Sequence, residues 1–215
     1  MRARDMLAAA LLATLGTGAL HAAAGAARLK LLPPAYDDGK GVGLSRPEGV
    51  ACDGRHVAVA DTGGGRIVLF DASGEALLPQ GVLALPELPQ PLRLAFRPGG
   101  GLLVLDGKSR RIGRVAAGGA FEGWLEIDAP GGVTPKSLQV GADGKVYVLD
   151  VKGRRVLVAG ADGQLVRRIE LPPATRFPAD LALGPHGEVY VVDGIGATLL
   201  VANAEATAAT PLARL

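Results

Sequence analysis

Residues 46–74, RPEGVACDGRHVAVADTGGGRIVLFDASG, alternate short apolar runs with turns rich in glycine and aspartate. Apolar runs of this length, bounded by glycine and aspartate, are typical of β-strands joined by tight turns. Three such strands are too few to bury a hydrophobic core by themselves. This stretch must therefore pack against other parts of the chain.

The same unit recurs three more times along the 215-residue sequence. A proline opens each unit, and the four fall at Pro47, Pro91, Pro135 and Pro178. An aspartate ends the second strand of each unit, and the four fall at Asp61, Asp106, Asp150 and Asp193. A period of about 44 residues with four short strands per period is typical of β-propeller blades. The sequence therefore predicts an all-β propeller with four recognisable blades.

A third marker follows the aspartate by five residues in three of the units. It is Arg66, Arg111 and Arg155, whereas the fourth unit has Thr198. A catalytic group is needed once, but a residue that shapes a turn is needed in every repeat. We therefore interpret one set of residues as structural turn residues: Asp61, Arg66, Asp106, Arg111, Asp150, Arg155 and Asp193.

The repeats resemble those of the NHL family, whose pattern runs roughly P-x-G-V-A-V-D, then V-Y-V-A-D-T-x-N-x-R, then a third strand ending in D-x-x-G. The resemblance covers residues 46–215, with units starting near 46, 90, 134 and 177. The family's frequent asparagine is replaced by Gly64, Ser109, Gly153 and Gly196. NHL propellers usually close with six blades. The resemblance therefore implies that the ring is truncated or incomplete, or that it closes through another chain. An open ring of this kind could self-associate.

The first residues have the layout of a secretory signal peptide. Arg2 and Arg4 precede an apolar run over 6–20, and small residues follow it. We assign 1–24 to the signal peptide and 25–45 to a linker or an outer closing strand. Export predicts a periplasmic or secreted protein with no membrane span after cleavage. An uncleaved membrane anchor is the alternative.

Cysteine and charge restrict the function further. Cys52 is the single cysteine, so no internal disulfide can form, and its place in an apolar strand predicts a buried, unreactive thiol. The formal net charge of +2 gives no reason to expect nucleic acid as a partner.

Residues for catalysis are scarce in this sequence. His56 and His186 are the histidines beyond the signal segment, and Asn203 is the single asparagine. No G-x-S-x-G motif is present, and we expect no catalytic, cofactor-binding or metal site. The main prediction is therefore a non-enzymatic binding or scaffolding module. The alternative is a divergent hydrolase or lyase, lactonase-like or amidating-lyase-like, with a metal near the central channel.

Basic residues collect in the loops at one end of the blades. In a propeller, the loop between strands two and three shares a face with the loop that leads into strand one. The candidate partner-binding residues on this face are Lys108, Arg110, Lys152, Arg154, Arg93 and Lys136. They predict docking of a protein or an anionic cell-envelope polymer. Ordinary solvated turn charges are the alternative interpretation.

Overall fold

A computed structural model describes residues 33–215, so the predicted signal peptide lies outside the described residues. The all-β prediction is confirmed: sixteen strands form four antiparallel sheets of four strands each. No helix within 33–215 has the length and apolarity that a bilayer span requires. A single 3-10 turn, Thr62–Gly64, is the only helical element of this part of the chain.

Each sheet is one propeller blade. Blade 1 contains β1 (Pro47–Cys52), β2 (His56–Asp61), β3 (Arg66–Asp71) and β4 (Leu78–Leu83). Blade 2 contains β5 (Pro91–Phe96), β6 (Leu102–Asp106), β7 (Arg111–Val115) and β8 (Phe121–Leu125). Blade 3 contains β9 (Pro135–Val140), β10 (Val146–Asp150), β11 (Arg155–Ala159) and β12 (Leu165–Glu170). Blade 4 contains β13 (Pro178–Leu183), β14 (Val189–Asp193), β15 (Thr198–Ala202) and β16 (Thr210–Arg214).

The repeated proline and aspartate lie together at one end of every blade. In each blade the proline that opens the first strand is the register partner of the aspartate that ends the second. The register shifts beside this pair in all four blades. Proline lacks the N–H that a regular ladder would use there, so an irregular position accommodates it.

The hydrophobic core consists of three clusters, one at each junction between consecutive blades. Because side chains alternate across a strand, each blade has two apolar faces. We call the face toward the preceding blade the N-side face and the face toward the following blade the C-side face. Each cluster joins the C-side face of one blade to the N-side face of the next, as Leu149 and Leu181 illustrate.

Blade 4 and blade 1 are not joined by a hydrophobic cluster among residues 33–215. The prediction that Cys52 has a buried thiol is wrong, because the residue is exposed. The corresponding residues Phe96, Val140 and Leu183 pack partly into junction clusters, whereas no blade formed by residues 33–215 covers Cys52 on the N-side face of blade 1.

The outer strand of blade 4 is β16, which pairs with β15. The prediction of an outer closing strand in 25–45 falls partly outside the described residues. Residues 33–45 form a loop with a single bridge between Asp37 and Gly43. Arg66 fixes this loop to blade 1 through hydrogen bonds to the carbonyls of Val42 and Gly43.

Candidate binding face

The four repeated aspartates are buried and tie together the loops at this end of the blades. Each carboxylate accepts a hydrogen bond from a backbone N–H sixteen residues earlier, in the loop that leads into the first strand of its own blade. The donors are Ser45, Gln90, Thr134 and Phe177. A buried carboxylate needs such donors to offset its loss of hydration. The aspartates therefore hold the fold and are not free to bind a ligand.

The pKa of Asp193 reflects the structural role of these aspartates. Burial alone would raise the pKa of this carboxyl group, but hydrogen bonds from the N–H groups of Arg176, Gly196 and Phe177 outweigh it. The pKa of Asp193 is therefore lowered from its ordinary value, and the group is ionised at neutral pH.

Two of the three repeated arginines pair with their aspartate. Arg66 Nε lies 2.7 Å from Asp61 and Arg155 Nε lies 2.9 Å from Asp150. Both guanidinium groups also donate to backbone carbonyls of a neighbouring loop. The hydrogen bond that Arg66 donates to Asp61, followed by the one that it donates to Asp38, raises the pKa of Arg66 despite its burial.

Arg111 differs from the other two, because its guanidinium does not pair with Asp106. It contacts Glu126 and lies 4.4 Å over the ring of Trp124. In blade 2 the N–H of Ser109 donates to Oδ2 of Asp106, the oxygen that the arginine contacts in blades 1 and 3. The equivalent residues Gly64 and Gly153 leave room for that oxygen, since a Cβ there would lie 2.3 Å from it.

The residue just before the third strand has a left-handed backbone in every blade. It is Gly65, Arg110, Arg154 and Ala197, with φ of 64°, 58°, 53° and 44°. This conformation suits glycine and strains a residue with a Cβ. Sequence inspection missed the feature, although the glycine in TGGGR of blade 1 is a signal for it.

Arg154 has a structural explanation for this conformation. Its guanidinium donates to the carbonyls of Pro172, Pro173 and Thr175, at 3.3, 2.5 and 2.7 Å. The side chain of Arg154 therefore caps the loop between β12 and β13. Lys152 is also engaged, 3.2 Å from the carbonyl oxygen of Gly131.

The left-handed backbone of Arg110 has no such structural explanation. Its side chain is exposed and makes no hydrogen bond or ion pair with any of residues 33–215, and the same holds for Lys108. Arg110 lines a cavity of about 220 Å³ between the loops of blades 1, 2 and 3. Arg93 and Lys136 line the same cavity, with Glu48 as its exposed acidic residue. We call this cavity the Arg110 pocket.

The other two cations of the Arg110 pocket are partly engaged. Arg93 donates to the carbonyls of Glu48 and Leu92, and the ammonium of Lys136 lies 5.6 Å from the ring centroid of Phe177. Both retain unused N–H donors. Three of the six predicted binding residues therefore converge on one cavity, whereas Lys108, Lys152 and Arg154 lie outside it.

The opposite face holds one arrangement that resembles a catalytic pair. His56 Nδ1 lies 3.0 Å from a carboxylate oxygen of Asp53, beside a cavity of about 230 Å³ that Phe96 also lines. The hydrogen bonds from the backbone and the ring of His56 lower the pKa of Asp53 to about 2. Among residues 33–215, no three histidine, cysteine, aspartate or glutamate side chains are grouped to hold a metal ion.

Comparison with known proteins shows the fold and no family. No family model and no curated protein matches the sequence. A streptogramin B lyase is 17% identical with a TM-score of 0.59, over 78% of this chain and 54% of that one. A catalytically inactive histidine-to-alanine virginiamycin B lyase from Staphylococcus aureus, with quinupristin, is 16% identical with a TM-score of 0.60, over 78% and 55%. Hydrazine synthase from Kuenenia stuttgartiensis is 18% identical with a TM-score of 0.60, over 83% and 53%.

These similarities confirm the propeller fold, while membership of the NHL family stays a prediction. The chain spans about half the length of the propellers that it matches.

Proposed function

We propose that this protein is a non-enzymatic binding propeller that docks an anionic partner at the Arg110 pocket. The pocket presents three cations, and the repeated aspartates beside it are occupied by backbone donors. Positive charge in a concave site attracts anions and orients their approach. The predicted export of the chain favours a phosphate polymer of the cell envelope or an acidic protein surface as the partner.

The observation that carries this proposal is the backbone of Arg110. A non-glycine residue with positive φ is strained, and strained residues of this kind cluster at functional sites. Arg154 shares the conformation and uses its side chain to cap three carbonyls. Arg110 shares it without any structural contact of its side chain among residues 33–215. The exposed guanidinium of Arg110 is therefore available to contact a ligand at the Arg110 pocket.

Two matched variants test this role. Arg110→Gly removes the cation and relieves the strain, whereas Ala197→Gly relieves the same strain in blade 4 without a change of charge. We expect both to raise the free energy of unfolding by about 1 kcal/mol. We expect Arg110→Gly alone to weaken binding, by roughly three- to tenfold.

Isothermal titration with polyphosphate, for an envelope polymer, and with poly-L-glutamate, for an acidic protein, measures the affinity. The proposal is overturned if neither probe binds the wild-type protein, or if Arg110→Gly binds both as tightly as wild type.

A lyase or hydrolase reaction on the opposite face is the second candidate function. It rests on the Asp53–His56 pair, in which Asp53 orients the imidazole and leaves Nε2 to move a proton in the adjacent cavity. The fold similarity to streptogramin lyases makes quinupristin the first compound to test. Loss of quinupristin in liquid chromatography that His56→Ala abolishes would favour this function over the binding module. Metal analysis of the purified protein would detect a bound cation.

A further inference from the structure

Two blade faces have the composition of a junction but no neighbouring blade among residues 33–215. They are the C-side face of blade 4 and the N-side face of blade 1. The three internal junctions show what covers such faces in this protein, because each one packs a C-side face against an N-side face. The open faces can therefore be compared position by position with buried equivalents.

The C-side face of blade 4 is an unpaired copy of the C-side face of blade 3. Tyr147, Leu149, Val156 and Val158 of blade 3 are buried at the junction with blade 4. The residues at the same strand positions in blade 4 are Tyr190, Val192, Leu199 and Val201. All four are apolar, yet all four are partly exposed. A solvent-facing sheet would carry polar residues at these positions.

The N-side face of blade 1 shows the same contrast. Val50 is 68% exposed, whereas its equivalents Leu94, Leu138 and Leu181 are at most 4% exposed in the internal junctions. Val57 and Val59 on β2 share this face and are partly exposed, and Val68 and Phe70 on β3 share it and are buried. The open part of the face therefore lies over the inner strands β1 and β2.

We propose that a second copy of this chain covers both faces. The C-side face of blade 4 packs on the N-side face of blade 1 of the other copy, and the reciprocal contact closes a ring with twofold symmetry. A head-to-tail contact that closes in this way forms a finite ring. Two copies supply eight blades, within the four to eight of known propellers.

Two substitutions each place a charge on one of the proposed junction faces. Val50→Asp alters the N-side face of blade 1, and Leu199→Asp alters the C-side face of blade 4. Val166→Asp is the matched control, because Val166 is 59% exposed on the outer strand of blade 3, away from both faces. Sedimentation of the full chain across micromolar concentrations measures the mass. We expect wild type and Val166→Asp at twice the 21.8 kDa of one chain. We expect the dissociation constant to rise roughly tenfold or more in each face variant.

Circular dichroism checks that the variants fold, since Val50 and Leu199 are not buried in a single chain. A monomeric wild-type protein overturns the proposal, and so do face variants that dimerise as wild type does. If the wild-type protein forms open polymers, and both face substitutions prevent their formation, the closed twofold ring is wrong.

A mixing experiment tests the head-to-tail arrangement. Val50→Asp keeps an intact C-side face on blade 4, and Leu199→Asp keeps an intact N-side face on blade 1. An equimolar mixture can therefore form one undamaged junction and should contain more dimer than either variant alone. A mixture with no more dimer than its components overturns the head-to-tail arrangement.

Discussion

At the scale of single residues, the same aspartate has different electrostatic surroundings in different blades. Asp150 forms a buried ion pair with Arg155, whereas Asp106 is buried without an arginine partner and accepts a hydrogen bond from the N–H of Ser109. Removing one partner of a buried ion pair leaves the other charge uncompensated, which costs more than the loss of hydrogen bonds alone.

We therefore predict that Asp150→Ala lowers the free energy of unfolding by about 3–5 kcal/mol. Asp106→Ala should lower it by about 1–3 kcal/mol, because only backbone donors lose their acceptor. Urea denaturation of the two variants measures the difference. Equal losses would show that the Arg155 pair contributes nothing beyond the turn hydrogen bonds.

Asp193 makes stability depend on pH. Its folded-state pKa is lowered, so its contribution is present above the ordinary value of 3.8 and is lost as the pH falls through the lower, folded-state value. We predict that Asp193→Asn, which cannot take up this proton, loses less stability than wild type between pH 6 and pH 3. Thermal unfolding across this range measures it, and parallel pH curves would contradict the assignment.

At the scale of elements, Arg66 holds the segment 33–45 against blade 1. Its guanidinium reaches Asp61, Asp38 and two carbonyls at once. A lysine cannot make this fork of hydrogen bonds. We predict that Arg66→Lys accelerates tryptic cleavage after Lys40, as followed by mass spectrometry. Arg111→Lys is the control, because Arg111 does not contact this segment, and equal acceleration by both variants would refute the anchoring role.

The inner strands could be predicted from the sequence, whereas the outer strands have a weaker sequence pattern. The first three strands of each blade carry apolar residues for both blade faces, so their pattern repeats clearly. The outer strand β16 is exposed throughout, and β4 contains Pro79 and Gly81. Strands at an edge bury little, so their sequences lack the alternation that identifies a strand.

The candidate binding face was predictable only in part, because its side-chain contacts depend on loops that lie far apart in the sequence. Charge and loop order placed Arg93, Arg110 and Lys136 on one face, where they share a cavity. Loop order could not show that the carbonyls of the β12–β13 loop engage Arg154. Nor could it show the left-handed backbone at Arg110, because arginine gives no sequence signal for positive φ.

At the scale of the whole molecule, the repeated blade generates two surfaces with different chemistry. The loop face collects cations around the Arg110 pocket, while the two terminal blade faces keep the apolar residues of a junction. These surfaces lie on different sides of the blades. Anion binding and assembly with a second copy can therefore be tested by separate substitutions.

The salt dependence of polyphosphate binding tests the central claim most directly. Each cation that contacts a polyanion displaces condensed counterions, so the logarithm of the affinity falls linearly with the logarithm of the salt concentration. We predict that Arg110→Gly makes this slope shallower by about one, while Ala197→Gly leaves it unchanged. A slope in Arg110→Gly equal to that of wild type would contradict the assignment of Arg110 as the residue that contacts the anionic partner.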